Sequence, residues 1–301
     1  MAKLKSALLG FDARGTLGDA ITFQKRNQDT IVREKPIPAY RRTLPQVYQR
    51  WLYEDYAYLW TQQTASTRQE YTSAGSRWHL TGFQYWMKYH LTNLPDRAGM
   101  WHLDEKAGAF ARDFSKNANH GTIIGATPTD GVIDGAYYFD GLNDTIQVPT
   151  SPSIRLQAPF TLEIAIKPDV WQANDTILAI GTFAGPVFTG YILITTAGGM
   201  DFGVGYGTGY KALHTVYTSL DWTLFHALWD GTILYLYANG VYLNERNIGT
   251  QTIVYDAYPL VLGRLAYLET YWFPGIEDNP VFYTRLLDQT EMLNHTARRY
   301  P

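Results

Sequence analysis

The chain has 301 residues and a mass of 34.2 kDa, enough for one large domain or two of ordinary size. Hydrophobic residues make up 46% and charged residues 18%, which excludes an intrinsically disordered chain and a coiled-coil or collagen-like rod. There is no cysteine, which excludes disulfides and thiolate chemistry, and the net charge of −3 indicates no particular partner.

Charge is unevenly distributed along the chain. The segment from Met1 to Arg97 has 14 basic and 8 acidic residues, a net charge of +6, and the remaining 204 residues carry −9. We therefore predict two regions, an anchor over residues 1–96 and a second domain over residues 97–301. No run of 18 apolar residues is present, so no membrane span is expected. The apolar run Ala7–Gly10 is too short for a signal peptide.

The N-terminal region begins with an extended, basic arm. Apolar residues at Ile21–Phe23 and Ile31–Val32 flank polar residues, which predicts a hairpin with its turn at Asn27–Asp29. Proline at positions 36 and 38 ends it. A net charge of +6 is modest for a nucleic-acid ligand and no DNA-binding motif accompanies it, so we predict contact with acidic protein surfaces. The basic residues concerned are Lys25, Arg26, Arg33, Lys35, Arg41 and Arg42.

Three short aromatic helices are predicted next, over Leu44–Gln63, Ser66–Ala74 and Gly82–Leu91. Together with the arm they are too small to bury a stable core alone, so we expect them to dock on another surface. Neighbouring protein copies are the expected surface, with the arm and the tryptophans forming the interface. The tryptophans concerned are Trp51, Trp60 and Trp86.

After Asn93–Asp96 the sequence changes to short runs in which apolar and polar residues alternate, separated by Gly, Asn, Asp and Pro. This pattern is typical of an antiparallel sandwich. FTLEIAIKP, FHALWDG and ILYLYANGVYL are examples. A final helix is predicted over Leu287–Arg299, with Asp288 as N-cap and Glu291 completing a capping box. The predicted fold class is mainly β, a jelly-roll sandwich preceded by an extended arm and a helical anchor.

The order of several motifs in the second region resembles laminin-G-like, concanavalin A-like jelly-roll domains. The resemblance covers residues 99–301 and implies a lectin-like fold, shared with some glycanases. The motifs that carry it are MWHLD (Met100–Asp104), DFSKNANHG (Asp113–Gly121), YFDGLNDTIQV (Tyr138–Val148), FTLEIAIKP (Phe160–Pro168), LWDG (Leu228–Gly231), LYANG (Leu236–Gly240) and GIEDNPVFYTRLL (Gly275–Leu287).

The N-terminal region resembles small proteins encoded by tailed bacteriophages. The resemblance implies a virion structural protein, assembled in the host cytoplasm as a decoration, turret or fibre-like component, with other virion proteins and copies of itself as partners. Host-surface glycans are a further expected partner. The alternative is a free or enzyme-attached carbohydrate-binding module. The matching pieces are Gly15–Asp19, Ile21–Phe23, Val32–Pro36, Pro45–Arg50 and Thr81–Phe83.

No pair of acids has the pattern of a glycanase. Glu163 is alone in its strand, and Glu277 and Asp278 are adjacent, so a strand directs them to opposite faces. His102, His214 and His226 lack the surroundings of a nucleophile elbow. We therefore predict no catalytic residues and no enzymatic activity.

A calcium site is the candidate cofactor site. Asp140, Asn143 and Asp144 lie in one FDGLND turn that offers hard oxygens, and Glu277 or Asp278 would complete the shell. Aspartate and asparagine are also ordinary turn formers, and the turn alone supplies too few ligands, so both interpretations stay open.

Aromatic residues are the candidate glycan platforms. Sugar faces stack on such rings, although tyrosine and tryptophan are equally enriched between protein copies. The Gly-rich run Gly198–Tyr210 lacks a phosphate-loop pattern, so we predict a sheet-edge loop or tight hairpin. The candidate platforms are Tyr206, Tyr210, Tyr267, Tyr271 and Trp272.

Overall fold

The computed structural model describes residues 2–4, 15–17, 21–26, 29–34, 43–184 and 187–299. The chain divides into two compact units, Met1–Gln49 and Arg50–Pro301. The first unit contains a four-stranded antiparallel sheet in the order β1-β4-β3-β2. Its strands are β1 (Ala2–Leu4), β2 (Gly15–Leu17), β3 (Ile21–Arg26) and β4 (Asp29–Glu34).

The predicted hairpin is confirmed, because β3 pairs with β4 and Arg26 is opposite Asp29. Lys25, Arg26 and Arg33 lie on these two strands, and their side chains are not among the parts of the chain that the structure describes. Lys35, Arg41 and Arg42 lie outside the described residues altogether. Their predicted protein contacts stay a prediction.

Three helices follow the first sheet, at α1 (Leu44–Gln62), α2 (Ala65–Ser76) and α3 (Gly82–Asn93). The sequence predicted all three to within two residues at each end. Thr64 caps α2, and Thr81 with Gln84 forms a capping box on α3. Among the described helices, none is both long and apolar enough to cross a membrane.

The larger unit contains a β-sandwich. Its strands are β5 (Arg97–Met100), β6 (Phe110–Ala111), β7 (Gly121–Ile124), β8 (Thr127–Asp130), β9 (Gly135–Asp140), β10 (Thr145–Val148), β11 (Phe160–Pro168), β12 (Thr176–Ile180), β13 (Phe183–Ala184), β14 (Val187–Thr196), β15 (Gly199–Tyr206), β16 (Tyr210–Val216), β17 (Thr223–Trp229), β18 (Ile233–Ala238), β19 (Val241–Asn247), β20 (Leu260–Leu262) and β21 (Pro274–Tyr283).

Two antiparallel sheets form the sandwich, as predicted. Over the described residues the nine-stranded sheet has the order β16-β15-β14-β12-β20-β10-β7-β6, with β13 paired to β14. The eight-stranded sheet has the order β19-β18-β17-β11-β21-β9-β8, with β5 paired to β21. The Gly-rich run forms the edge hairpin of β15 and β16, as predicted.

Apolar side chains at alternate positions of the strands fill the interior between the two sheets. In β11, Phe160, Leu162 and Ile164 face this interior, and Thr161 and Glu163 therefore face the opposite side of the sheet. In β17, Phe225 faces the interior and His226 the other side. Helix α4 (Gln289–Arg299) follows β21, and Asp288 and Glu291 form the predicted capping box at its start.

The helices cover the outer face of the eight-stranded sheet. A second hydrophobic cluster joins residues of α1, α3 and α4 to β17 and β21. The docking surface of the helices is thus the sandwich of the same chain, and the compact units divide at Gln49/Arg50 rather than at the predicted 96/97. The members are Leu52, Tyr56, Trp86, Met87, Leu94, Met100, Leu228, Val281, Tyr283, Leu287 and Met292.

The three tryptophans expected at an interface between copies differ in exposure. Trp86 is only 5% exposed and packs inside the chain, so it is not available to a neighbour. Trp60 is half-buried, with its ring 5.6 Å from that of Trp86, and Trp51 is half-buried as well. The expectation of an intermolecular contact is wrong for Trp86, because the helical segment uses this ring for its own docking.

Candidate functional site

A row of side chains crosses the outer face of the nine-stranded sheet. Residues directly opposite each other on paired strands share a face. Ile194 of β14 is opposite Thr176 of β12 and Asp201 of β15, and Asp201 is opposite His214 of β16. Thr176 also forms a parallel bridge with Trp272. The row therefore reads Trp272, Thr176, Ile194, Asp201 and His214, and we call it the cross-strand row.

The outward direction of this row follows from its neighbours. Tyr191 and Leu193 belong to the interior of the sandwich, whereas Ile192 belongs to a separate hydrophobic cluster on the other side of the sheet. Ile194 packs against that outer cluster, so the row lies on the same face. Strands lie about 4.8 Å apart, and the stretch from Thr176 to His214 is therefore about 14 Å long.

Aromatic rings border the cross-strand row. Tyr210 packs against Phe188 at 5.5 Å between ring centroids, and its ring lies over Gly203, where a Cβ would clash with the tyrosine ring. Tyr267 packs against the same outer cluster. Tyr271 is exposed, and its carbonyl accepts from the backbone N–H of Thr176.

The loop that carries Trp272 is held by Arg264. The guanidinium lies 5.4 Å from the centre of the tryptophan ring, and its Nη1 donates to the carbonyls of Leu265 and Leu268 at 2.7 and 3.2 Å. The half-buried ring is therefore fixed in position while part of it stays accessible. Four of the five predicted glycan residues lie on or beside this face; Tyr206, at the end of β15, instead folds against Gly209.

Polar chemistry in the row comes from Asp201 and His214. The imidazole Nδ1 lies 2.7 Å from the carboxylate Oδ1, and the histidine is 58% exposed at its side chain. The carboxylate accepts hydrogen bonds and the imidazole offers a second polar group beside it. The row thus has a partly accessible aromatic ring and, about 14 Å away across two intervening strands, a carboxylate, which suits a ligand that has both apolar faces and hydroxyl groups.

The residues predicted to bind calcium lie in two places, the FDGLND turn and strand β21. Asp140 Oδ1 accepts from the backbone N–H of Leu142 and of Asn143, and Asp144 Oδ2 accepts from the N–H of Asp140 at 2.9 Å. These contacts are those of an ordinary turn. Burial raises the pKa of Asp144.

Glu277 and Asp278 point to opposite sides of β21, as their adjacency predicted. Glu277 is fully buried, opposite Tyr137 and Ile166, and burial raises its pKa well above the usual range. Asp278 Oδ2 accepts from the N–H of Val132 at 3.0 Å. The predicted acids are not among the described groups of three ligand side chains, so calcium at the FDGLND turn stays a prediction.

A buried polar cluster that the sequence did not indicate lies under α1 and α4. Glu163 Oε2 is 3.1 Å from His226 Nε2 and 2.6 Å from His295 Nδ1. Asp55 Oδ1 is 3.4 Å from His295 Nε2. Glu163 and His226 are cross-strand partners on the outer face of the eight-stranded sheet, so Glu163 is not isolated. His102 is also buried, with Nδ1 3.1 Å from Asn279 Oδ1.

Residues 139–292, about half of the chain, match a family model described as the concanavalin A-like lectin/glucanases superfamily. The chain belongs to this superfamily. The match includes β11, β17 and every strand of the cross-strand row. No curated protein sequence matches the chain.

Solved structures with the same fold include two toxin domains and one polysaccharide-enzyme domain. The binding domain of Paraclostridial Mosquitocidal Protein 1 has a TM-score of 0.54 at 16% identity, covering 67% of this chain and 52% of that one. The botulinum neurotoxin serotype G binding domain gives 0.54 at 13%, covering 67% and 51%. Domain 4 of an extracellular GH43 arabinanase from Geobacillus stearothermophilus, solved with arabinotriose, gives 0.55 at 17%, covering 66% and 97%.

These similarities show a shared fold. The chain spans about half the length of the two toxin domains and nearly the whole of the arabinanase domain. The predicted jelly-roll, concanavalin A-like architecture is confirmed by both the family match and the two sheets.

Proposed function

We propose that the protein binds carbohydrate through the cross-strand row. The observation that carries the proposal is the alignment of Trp272, Ile194, Asp201 and His214, each at least partly exposed, across paired strands on the outer face of a lectin-like sandwich. A sugar ring has an apolar face that stacks on an aromatic ring and hydroxyls that need polar partners. The row supplies both kinds of contact along about 14 Å of sheet, which suits an oligosaccharide better than a single sugar.

The rigidity of the face favours binding. Trp272 and Asp201 lie on or beside paired strands, and the Arg264 contact fixes the tryptophan ring. A ligand therefore binds without a large loss of side-chain entropy. The arabinanase domain of the same fold was solved with a trisaccharide, and this gives independent support for the ligand class.

Glycan arrays followed by calorimetry test the proposal. Trp272→Ala is expected to weaken binding of the best array ligand at least about 10-fold, because the stacking surface is lost. Asp201→Ala is expected to do the same, because a hydroxyl partner is lost. Tyr242→Ala is the matched control, since this exposed tyrosine lies on β19 of the other sheet. Melting temperatures of all variants confirm folding.

Two outcomes would overturn the proposal. One is an array without any ligand for the wild-type chain, and the other is unchanged affinity in both Trp272→Ala and Asp201→Ala. Binding without catalysis is part of the proposal, so array ligands should be recovered uncleaved after prolonged incubation with the protein.

We propose further that this module is displayed on a virus particle and that the Met1–Gln49 unit attaches it. The support is the separate compactness of that unit and the resemblance to tailed-phage proteins, most of whose motifs lie in it, with Thr81–Phe83 outside it. Mass spectrometry of purified particles of the encoding virus is expected to find the chain in many copies. Its absence from particles, with abundance in the infected-cell lysate, would contradict the virion role and leave the carbohydrate proposal intact.

A further inference from the structure

The cluster of Glu163, His226 and His295 brings three ligand side chains together from three elements, β11, β17 and α4. One ligand atom from each lies within 4.8 Å of the others. Glu163 and His226 are fully buried and His295 is 4% exposed. Within the described chain, this is the group of three His, Asp or Glu residues with such geometry.

The surroundings orient His295. Its Nδ1 faces Glu163 and its Nε2 faces Asp55 on the opposite side of the ring. Asp55 is held in turn by the guanidiniums of Arg97 and Arg298. A carboxylate on the second nitrogen of a histidine is the usual outer support of a metal-binding imidazole, because it fixes the ring and its tautomer.

The charges of the cluster favour a bound cation. With neutral imidazoles, Glu163 and Asp55 offset Arg97 and Arg298, and the adjoining Asp96, Glu291 and Arg285 add a net charge of −1. With both imidazoles neutral, the cluster and its surroundings carry a net negative charge that a bound divalent cation offsets.

We propose that Glu163, His226 and His295 bind one divalent transition-metal ion of the zinc class. Two imidazole nitrogens and a carboxylate form the donor set that such an ion prefers, whereas calcium and magnesium prefer oxygen ligands. A carboxylate binding through both oxygens would raise the number of ligand atoms to four. Ligands around a tetrahedral zinc ion lie about 3.4 Å apart, so Glu163 has to withdraw by several tenths of an ångström. The bound ion would fix α4 to the sheet.

Metal analysis of the purified full chain tests the site. Protein prepared without chelator is expected to contain about one zinc ion per chain. Chelator treatment should lower the melting temperature, and zinc but not calcium or magnesium should restore it. Cobalt added to the stripped protein should give visible d–d absorption, because its ligand field in such a site is close to tetrahedral. The calcium content of the same sample tests the FDGLND turn separately.

Variants separate metal binding from simple packing. His226→Gln is expected to remove the bound zinc and the cobalt spectrum, and His214→Gln, in the exposed histidine–aspartate pair, is expected to keep both. Asp55→Asn acts through His295 and should weaken zinc affinity by about 10- to 100-fold. Metal-free wild-type protein tests the site without the risk that a variant fails to fold. If it binds neither zinc nor cobalt, and its melting temperature is the same with chelator and with zinc, the proposal is wrong and a proton bridges the cluster.

Discussion

Replacing Trp86 with alanine is expected to lower the free energy of unfolding by about 3–5 kcal/mol. The ring is buried between α1 and α3, 3.6 Å from the ring of His90 and 4.9 Å from that of Tyr71, measured between centroids. Its Nε1 donates to the carbonyl of Tyr56 at 2.9 Å. The substitution therefore removes a large apolar surface and an additional hydrogen bond to a carbonyl of α1. Chemical denaturation followed by fluorescence and circular dichroism measures the change.

Trp78→Ala is the matched control for this experiment. Trp78 lies between α2 and α3 and is 62% exposed, with Lys88 over its ring at 5.0 Å. Its replacement is expected to change the free energy of unfolding by less than about 1 kcal/mol. Equal losses in the two variants, or a loss below about 1 kcal/mol in Trp86→Ala, would show that the helices do not depend on this ring for docking.

The sandwich could be predicted from the sequence because its signals are local. Runs such as FTLEIAIKP and FHALWDG alternate with turn residues, and each run became a strand at nearly the predicted position. The capping box of Asp288 and Glu291 is equally local. The alternation of side chains along a strand also predicted that Glu277 and Asp278 face opposite sides of β21.

The buried cluster could not be predicted, because it depends on which strands pair and in what register. Alternation places Glu163 and His226 on outward faces of their strands, but they are 63 positions apart in the sequence, and nothing in it shows that they are opposite each other. His295 comes from a helix 132 residues after Glu163. One local sign was available: a glutamate in an otherwise apolar, fully covered strand needs a charged or hydrogen-bonding partner.

The sequence predicted that the helices dock on another surface, but it did not predict which surface this is. Short aromatic helices with little capacity for a core of their own indicate a surface to cover. The sequence does not show that the eight-stranded sheet exposes Leu228, Val281 and Tyr283 on its outer face, since only the strand order brings β17 and β21 to either side of β11. The helices were therefore expected to dock on neighbouring copies, whereas they dock on the eight-stranded sheet of their own chain.

Arg97→Met is expected to lower the free energy of unfolding by about 3–5 kcal/mol at pH 7. The guanidinium is 2% exposed and lies 2.9 Å from oxygens of both Asp55 and Asp96. It also lies between the rings of Tyr56 and Tyr283, at 5.3 and 5.0 Å from their centres. Methionine preserves much of the apolar contact but removes the charge, so the buried Asp55 and the half-buried Asp96 lose a common partner.

The loss is expected to depend on pH with a definite sign. Burial would raise the pKa of Asp96, but Arg97 and Arg285 lower it to about 2, below the usual 3.8 of aspartate. The stabilisation from Asp96 is therefore complete above about pH 5 and is lost progressively as pH falls through about 2. Unfolding measured at pH 7 and pH 3 should show a smaller difference between wild type and Arg97→Met at the lower pH.

Asp96→Asn, combined with Arg97→Met, isolates the ion pair from its surroundings. The double variant removes one of the carboxylates that Arg97 compensates, so it should be less destabilised than the two single losses added together, with a coupling energy of about 1–3 kcal/mol. Arg285 and Arg298 still neutralise part of the remaining charge. Strictly additive losses, together with a pH-independent deficit in Arg97→Met, would mean that the guanidinium contributes by packing between the two tyrosines rather than by charge.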